Sequence, residues 1–357
     1  MKNRINIFII FLFCAKSVVA VLPEVKQDYF KTDYIRSHSF VYDSLIKTSR
    51  CYKLGWELSL PIITLNTEEK VIIEFDDLKN EIRDFYYEIK HCNADWTFSE
   101  LSEYEYIEGF NLNAITNYNY SFNTTVPYIH YEFEIPNNDV QIKLSGNYLI
   151  MVYDSYEKDH LVFTKEFRIV EPLVSIDANA HQAKIIDYLL TSHEVDFSID
   201  LGDVFVQDPY SDVKITVQQN NRRDNALTNL NPLFIKDNLL IYDYDRENIF
   251  NGVVEFRHFD IKSIRYQSDR VAKIDYDKNV HHIYLYADEK RTFKRYFYEQ
   301  DINGKHTIEI QEADDPKTEA DYVWVHFTLL FDQPVLTGNI YVAGDRNENT
   351  YIFTNGN

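Results

Sequence analysis

Glycine is scarce, with 9 residues in 357. Loops that cradle phosphates need several glycines close together, so phosphate-binding turns of that kind are excluded. Neither G-x-S-x-G nor H-E-x-x-H occurs, which removes the signatures of the serine-hydrolase elbow and the zinc proteases. Positive charge is also in the minority. Lys plus Arg is 36 against 57 for Asp plus Glu, a formal net charge of -21. A chain this acidic repels phosphate backbones, which disfavours a nucleic-acid partner. Long apolar runs are missing. Ile7 to Ala15 is unbroken, but it falls short of the roughly 20 residues that a membrane-spanning helix requires. Hydrophobic residues at 45% and charged residues at 26% are otherwise those of a folded protein. The abundance of Tyr (28) and Phe (24) has a bland source in AT-rich codons and core packing, so it does not by itself argue for sugar or base stacking.

The first residues form an address. Lys2 and Arg4 precede the apolar run, and Val18-Val19-Ala20 supplies small residues for cleavage. This pattern predicts a secretory signal peptide over residues 1–20, cut after Ala20. Cys14 raises the rival reading of a lipoprotein, but Phe13 stands where lipoprotein processing needs a small side chain. Cleavage leaves Cys51 and Cys92. In an exported chain the two form one disulfide or stay as separate thiols, with Cys92 buried.

The body is dominated by period-two alternation and by short β-branched or aromatic runs between turns. These include Trp56/Leu58/Leu60, Val71 to Phe75, Phe85 to Ile89, Tyr131/Phe133/Ile135, Tyr148 to Tyr153 and Phe163 to Val170. Further along lie Val195 to Leu201, Val213 to Val217, Leu239 to Tyr242, Val253 to Phe256 and His282 to Tyr286. The last are Arg295 to Tyr298, Thr307 to Ile310, Val323 to Leu330 and Asn339 to Val342. Helical signals are weak: a turn at Ser99 to Tyr106 capped by Ser99, and a segment at Ala183 to Leu190. The fold class this predicts is all-β, as tandem immunoglobulin-like or E-set-type antiparallel β-sandwiches. Boundaries at Glu171-Pro172 and near Arg270 to Lys278 divide the chain into modules at 21–172, 173–275 and 276–357. The last is small for a sandwich, which suggests a C-terminus shorter than that of relatives.

Side-chain chemistry is thin. His281 and His282 are neighbours on a predicted strand and point to opposite faces, so they do not share a metal ion; the same holds for His91-Cys92 as a dyad. The many aspartates sit beside turn signals, where Asp bonds nearby backbone N–H groups. No cofactor or metal pattern emerges. Arg222-Arg223 and Lys290-Arg291 are basic islands suited to pairing with neighbouring carboxylates or to a protein interface.

One ordered series is more specific. It runs Phe75-Asp76-Asp77-Leu78, Tyr86 to Trp96, Leu101 to Asn111, Ser121 to Thr124, Tyr128 to Tyr131, Pro136-Asn137 and Leu144 to Tyr148. It continues with Val217 to Ala226, Glu255 to Asp260 and Asp321 to Phe327. This series resembles the type IX secretion system plug proteins of Bacteroidota, over about residues 30–345. The resemblance implies a non-catalytic periplasmic protein at the inner face of the outer membrane. It would bind the periplasmic mouth of the translocon barrel and seal the pore when no cargo passes, without spanning the membrane itself. Acidic charge would complement a basic rim. Where relatives carry Gly-Gly-Asn, this chain has Gly252-Val253-Val254. The alternative is a carbohydrate-binding sandwich; a glycosidase would need facing carboxylates.

The candidate interface or loop-shaping residues are Cys92, Asp95, Trp96, Tyr106, Gly109, Phe110, Asn111, Tyr128, His130, Tyr131, Gly146, Asn147, Tyr148, Asn220, Arg222 and Arg257. For each, two roles compete. Trp96, Phe110 and Tyr131 are core anchors and Asp95, Asn111 and Asn147 fix turns, or the loops they shape face the barrel.

Overall fold

The computed structural model describes residues 34–252, 256–291, 301–330 and 344. The signal-peptide segment, Arg295 to Tyr298, Asn339 to Val342 and most of Val253 to Phe256 lie outside them. Every element below belongs to the unit formed by residues 36–357.

In chain order the first part runs β1 (Phe40–Val41), β2 (Ile46–Lys53), β3 (Ile62–Thr64), β4 (Val71–Asp77), β5 (Tyr86–Cys92) and helix α1 (Glu103–Tyr106). Next come β6 (Ile107–Gly109), β7 (Asn113–Ala114), β8 (Tyr118–Tyr120), β9 (Ile129–Ile135), β10 (Val140–Ile142), β11 (Gly146–Tyr153) and β12 (Leu161–Val170). One sheet has the order β1-β12-β11-β5-β7, with β3 added to β12; the other is β2-β4-β9-β8. Their inner faces share one core. Phe75 of β4 meets Phe163 of β12 edge to face at 5.0 Å and stacks on Tyr131 of β9 at 5.1 Å. Ile73, Ile129, Ile150, Phe167 and Tyr148 fill the same cluster. Alternation along β4 and β9 sends these side chains inward, where burying each large apolar group contributes about 1.5–3 kcal/mol.

The second part holds β13 (Ser175–Gln182), β14 (Ser192–Asp200), α2 (Pro209–Asp212), β15 (Thr216–Val217) and β16 (Leu227–Thr228). It continues with β17 (Phe234–Lys236), β18 (Leu239–Tyr242) and β19 (Ile249–Asn251). The sheet β13-β14-β18-β17, with β19 on β14, packs Phe197, Ile199, Leu240 and Tyr242 against Val213, Ile215 and Leu230. The third part has β20 (Val271–Asp277), β21 (Val280–Leu285), β22 (Asp288–Glu289), α3 (Pro316–Glu319), β23 (Val323–His326) and β24 (Leu329–Leu330). Pairing is mostly antiparallel, but β3–β12, β21–β23 and β22–β24 are parallel.

The expected all-β class is what the structure has. Several local expectations fail. Trp56/Leu58/Leu60 is a pair of turns, because Trp56 and Ser59 N–H groups bond back to Lys53 and Trp56 carbonyls. Ala183 to Leu190 is no helix; Tyr188 and Leu189 close isolated turns. Thr307 to Ile310 carries no strand, and Val213 to Val217 pairs only at its last two residues. The helix cap is Ser102, not Ser99. Ser102 and Glu105 form a capping box, with Ser102 N–H on Glu105 Oε2 at 2.7 Å.

The outer face of the β2-β4-β9-β8 sheet is covered by the chain's own late segment. Tyr322 Oη donates to Asp76 at 2.6 Å and sits 2.7 Å from Thr48 Oγ1. Tyr128 Oη donates to the Lys317 and Ala320 carbonyls, and Phe122 N–H bonds Thr318. Lys305 Nζ holds the Leu58 and Ser59 carbonyls. With the shared core on one face and this segment on the other, all seven residues of β4 are buried, including Glu74 and Asp76.

Candidate interaction surface

Ten of the sequence-based candidates meet at one end of the first sandwich. The turn after β5 is set by Asn93 and Thr97, whose backbones pair, and by Asp95, which accepts from the Thr97 N–H at 3.0 Å and its hydroxyl at 2.6 Å. This is the Asx chemistry that keeps aspartate in turns. It holds Trp96 in the left-handed region at φ 68°. Asn147 at the start of β11 reaches across and donates to the Asn93 carbonyl at 3.0 Å. Cys92 is buried beneath, with Trp96, Leu149 and Met151.

A second loop locks onto the first. Tyr106 is buried and donates to the Ile89 carbonyl; its ring and that of Tyr148 flank His91. Asn111 accepts from Ile89 N–H at 2.9 Å and donates to Glu103 at 2.8 Å, so it ties its loop to β5 and to α1 and does not cap its own turn. Gly109 adopts φ 103°, and a Cβ there would stand 2.1 Å from the Asp139 carbonyl oxygen. Only glycine lets β6 approach the turn before β10 this closely. Gly146 at φ 144° likewise leaves room for the His91 ring.

What this framework presents outward is aromatic. Phe110 is 77% exposed, so of its two candidate roles that of core anchor is excluded; its N–H bonds Asp139 and its ring projects into solvent. Tyr104, which sequence reasoning passed over, is 84% exposed. The signal was present: Tyr104 and Tyr106 are two apart in a helical turn, so they point in different directions. Phe98, Leu101 and Leu144 are exposed in the same loops. Glu100, Glu105 and Glu108 lie around them in the chain, all exposed.

The remaining candidates lie elsewhere. Tyr128, His130 and Tyr131 are buried in or beside β9, on the other sheet. Asn220 takes φ 54° in a loop of the second part, where Arg222 pairs with Asp224. Its neighbour Arg223, outside the predicted set, does more. Its guanidinium lies 4.5 Å from the Trp96 ring and pairs with Glu166, while Arg168 approaches the same ring at 5.0 Å. Arg223 thus ties the second part to the first, while Arg168, on β12, stacks on the same indole from within the first part. Arg257 binds Asp288 and the Glu289 carbonyl in the third part.

No disulfide joins Cys51 in β2 to Cys92 in β5, which belong to different sheets. Burial pushes the Cys92 thiol up to about 11, with Glu166 adding to the shift. In a Cys51→Ser background, Cys92 should alkylate at pH 8 on the order of a hundredfold more slowly in the folded chain than in urea. Equal rates, read by mass spectrometry, would contradict its burial.

These residues define a tandem β-sandwich scaffold with a rigid, aromatic end surface. Residues 46–171 match the type 9 secretion system plug protein 1st domain. The crystal structure of a hypothetical protein from Parabacteroides merdae is similar at 38% identity and a TM-score of 0.84, over 88% of this chain and 80% of that one. No curated protein matches. The chain belongs to the type IX secretion system plug protein family, and its work is in type IX secretion, a system of the cell envelope. Among the described residues no helix is long and apolar enough to cross a membrane.

Proposed function

We propose that this protein is a non-catalytic periplasmic plug. It binds the periplasmic mouth of the type IX translocon barrel and seals the pore when no cargo is passing. The family match over the first sandwich carries this reading. The exposed rings of Tyr104 and Phe110, with exposed glutamates beside them in the chain, support it, because exposed aromatics on a hydrogen-bonded frame suit an interface centre. The acidic net charge of -21 would steer the plug toward a basic rim. The signal at residues 1–20, cut after Ala20, would deliver it to the periplasm, with three modules at 21–172, 173–275 and 276–357 packed into one body.

The test is a pull-down of the tagged chain from detergent-solubilised outer membranes of a type IX-secreting bacterium. The expected result is one very large barrel protein in near-equal amount. Recovery of no membrane partner, with binding to a glycan panel instead, would overturn the proposal.

A further inference from the structure

The junction between β4, β9 and α3 contains a group that packing alone leaves unexplained. His130 has a side chain only 4% exposed. Its Nδ1 lies 2.7 Å from Asp76 Oδ1, and Asp76 is held in turn by the Tyr322 hydroxyl. In the tautomer that donates from Nδ1 to Asp76, Nε2 carries the lone pair. That Nε2 is buried and makes no hydrogen bond. It faces Glu132 Oε2 at 3.9 Å. Ligand atoms of Glu74, His130 and Glu132 all lie within 4.8 Å of one another.

The charge here is unbalanced. Arg50 pairs with Glu57 and Glu74, and Lys317 Nζ lies 2.5 Å from Glu132 and 3.3 Å from Glu74. Among the described residues, Arg50, Lys317 and, when protonated, His130 face the carboxylates of Glu57, Glu74, Asp76 and Glu132. Tyr52 donates one further bond to Glu74 at 3.0 Å. A similar cluster at His181, Glu194 and Asp196 is closed by Lys184, and there His181 Nε2 is bonded to Asp196 at 2.7 Å. The orphaned imidazole nitrogen sets the first cluster apart.

We infer that Glu74, His130 and Glu132 form a binding site for a divalent transition-metal ion of the zinc type, for which the Lys317 ammonium competes. One imidazole nitrogen and two carboxylate oxygens suit zinc, cobalt or manganese, with water in the remaining position. Asp76 supplies the carboxylate that orients a ligating histidine and fixes its tautomer. A tetrahedral shell with bonds of about 2.0–2.2 Å brings ligands to about 3.4 Å apart, so the carboxylates close by roughly an ångström as Lys317 leaves. The ion adds two charges where the ammonium supplied one; no electron moves, and a protonated His130 releases its Nε2 proton to solvent on ligation. Lys317 belongs to α3, which Tyr128 and Thr318 dock on the first sandwich. Metal binding therefore exchanges one anchor of the late segment for an ion held by the sandwich alone.

The experiment titrates the chelator-stripped full chain with Co²⁺ and reads the visible d–d band, then displaces the band with Zn²⁺. One equivalent should bind. His130→Gln should abolish the band, and Asp76→Asn should weaken binding about 10–100-fold. Lys317→Ala should tighten it, and His181→Gln should leave it unchanged. Zn²⁺ should also raise the rate at which an amine-acylating reagent labels Lys317. A folded wild-type chain that shows no band, or a band that survives His130→Gln, would overturn the inference. The wild-type titration decides even where a variant fails to fold, and neither result bears on whether the protein plugs a barrel.

Discussion

Replacing Arg83 with alanine is expected to lower unfolding free energy by about 3–5 kcal/mol, since it strands a buried charge. Arg83 is the hub between the two sheets' ends. Its Nε donates to Asp77 at 2.7 Å and its Nη1 to Asp43 at 2.8 Å, with Asp154 at 3.5 Å. Asp77 is fully buried. The guanidinium also lies 4.8 Å from the Phe85 ring, and the Arg83 N–H bonds the Tyr131 hydroxyl. Arg83→Lys keeps the charge but not the fork that serves two carboxylates, so it should recover only part of the loss. Urea denaturation measures both. In a double-mutant cycle, Asp77→Asn should relieve much of the Arg83→Ala penalty, because the unpaired charge is then gone. A loss below about 1 kcal/mol, the range of exposed pairs, would mean that the network is not load-sharing in this way.

The second large effect concerns binding. The double variant Tyr104→Ala/Phe110→Ala should leave stability within about 0.5 kcal/mol, because both rings stand in solvent. Barrel binding should weaken by about 2–4 kcal/mol per central ring, the size seen for interface hot spots. By contrast Tyr106→Ala, only two residues from Tyr104, should unfold the end of the sandwich, since its ring is buried and its hydroxyl holds Ile89. Binding titrations beside thermal melts separate the outcomes. Unchanged affinity in the Tyr104/Phe110 variant would remove this surface from the proposed interface.

The β-character of the chain is legible wherever alternation meets turn residues. Leu239 to Tyr242 forms a strand at those same bounds, and Val71 to Phe75 and Tyr131 to Ile135 fall inside strands. Alternation misleads at Trp56/Leu58/Leu60 because Gly55, at φ 87°, turns the chain before the pattern can pair. Phe110 could not be told from a core residue, because exposure depends on which loop covers it and Gly109 is what turns the backbone outward. Lys317 and Tyr322 were invisible as partners of Glu74 and Asp76. More than 240 residues separate them, and no local period encodes a contact of that range.

The covering of β4 has a consequence for the order in which the protein matures. Synthesis delivers the N-terminal sandwich long before residues 305–326 exist. Until they arrive, the outer face of β4 shows Ile72, Glu74 and Asp76 to water. Two of these three are carboxylates, the opposite of a sticky strand. The same acids later receive Lys317 and Tyr322. The final segment acts as a closing seam, and a chain cut short before α3 would leave Glu74 and Asp76 without Lys317 and Tyr322.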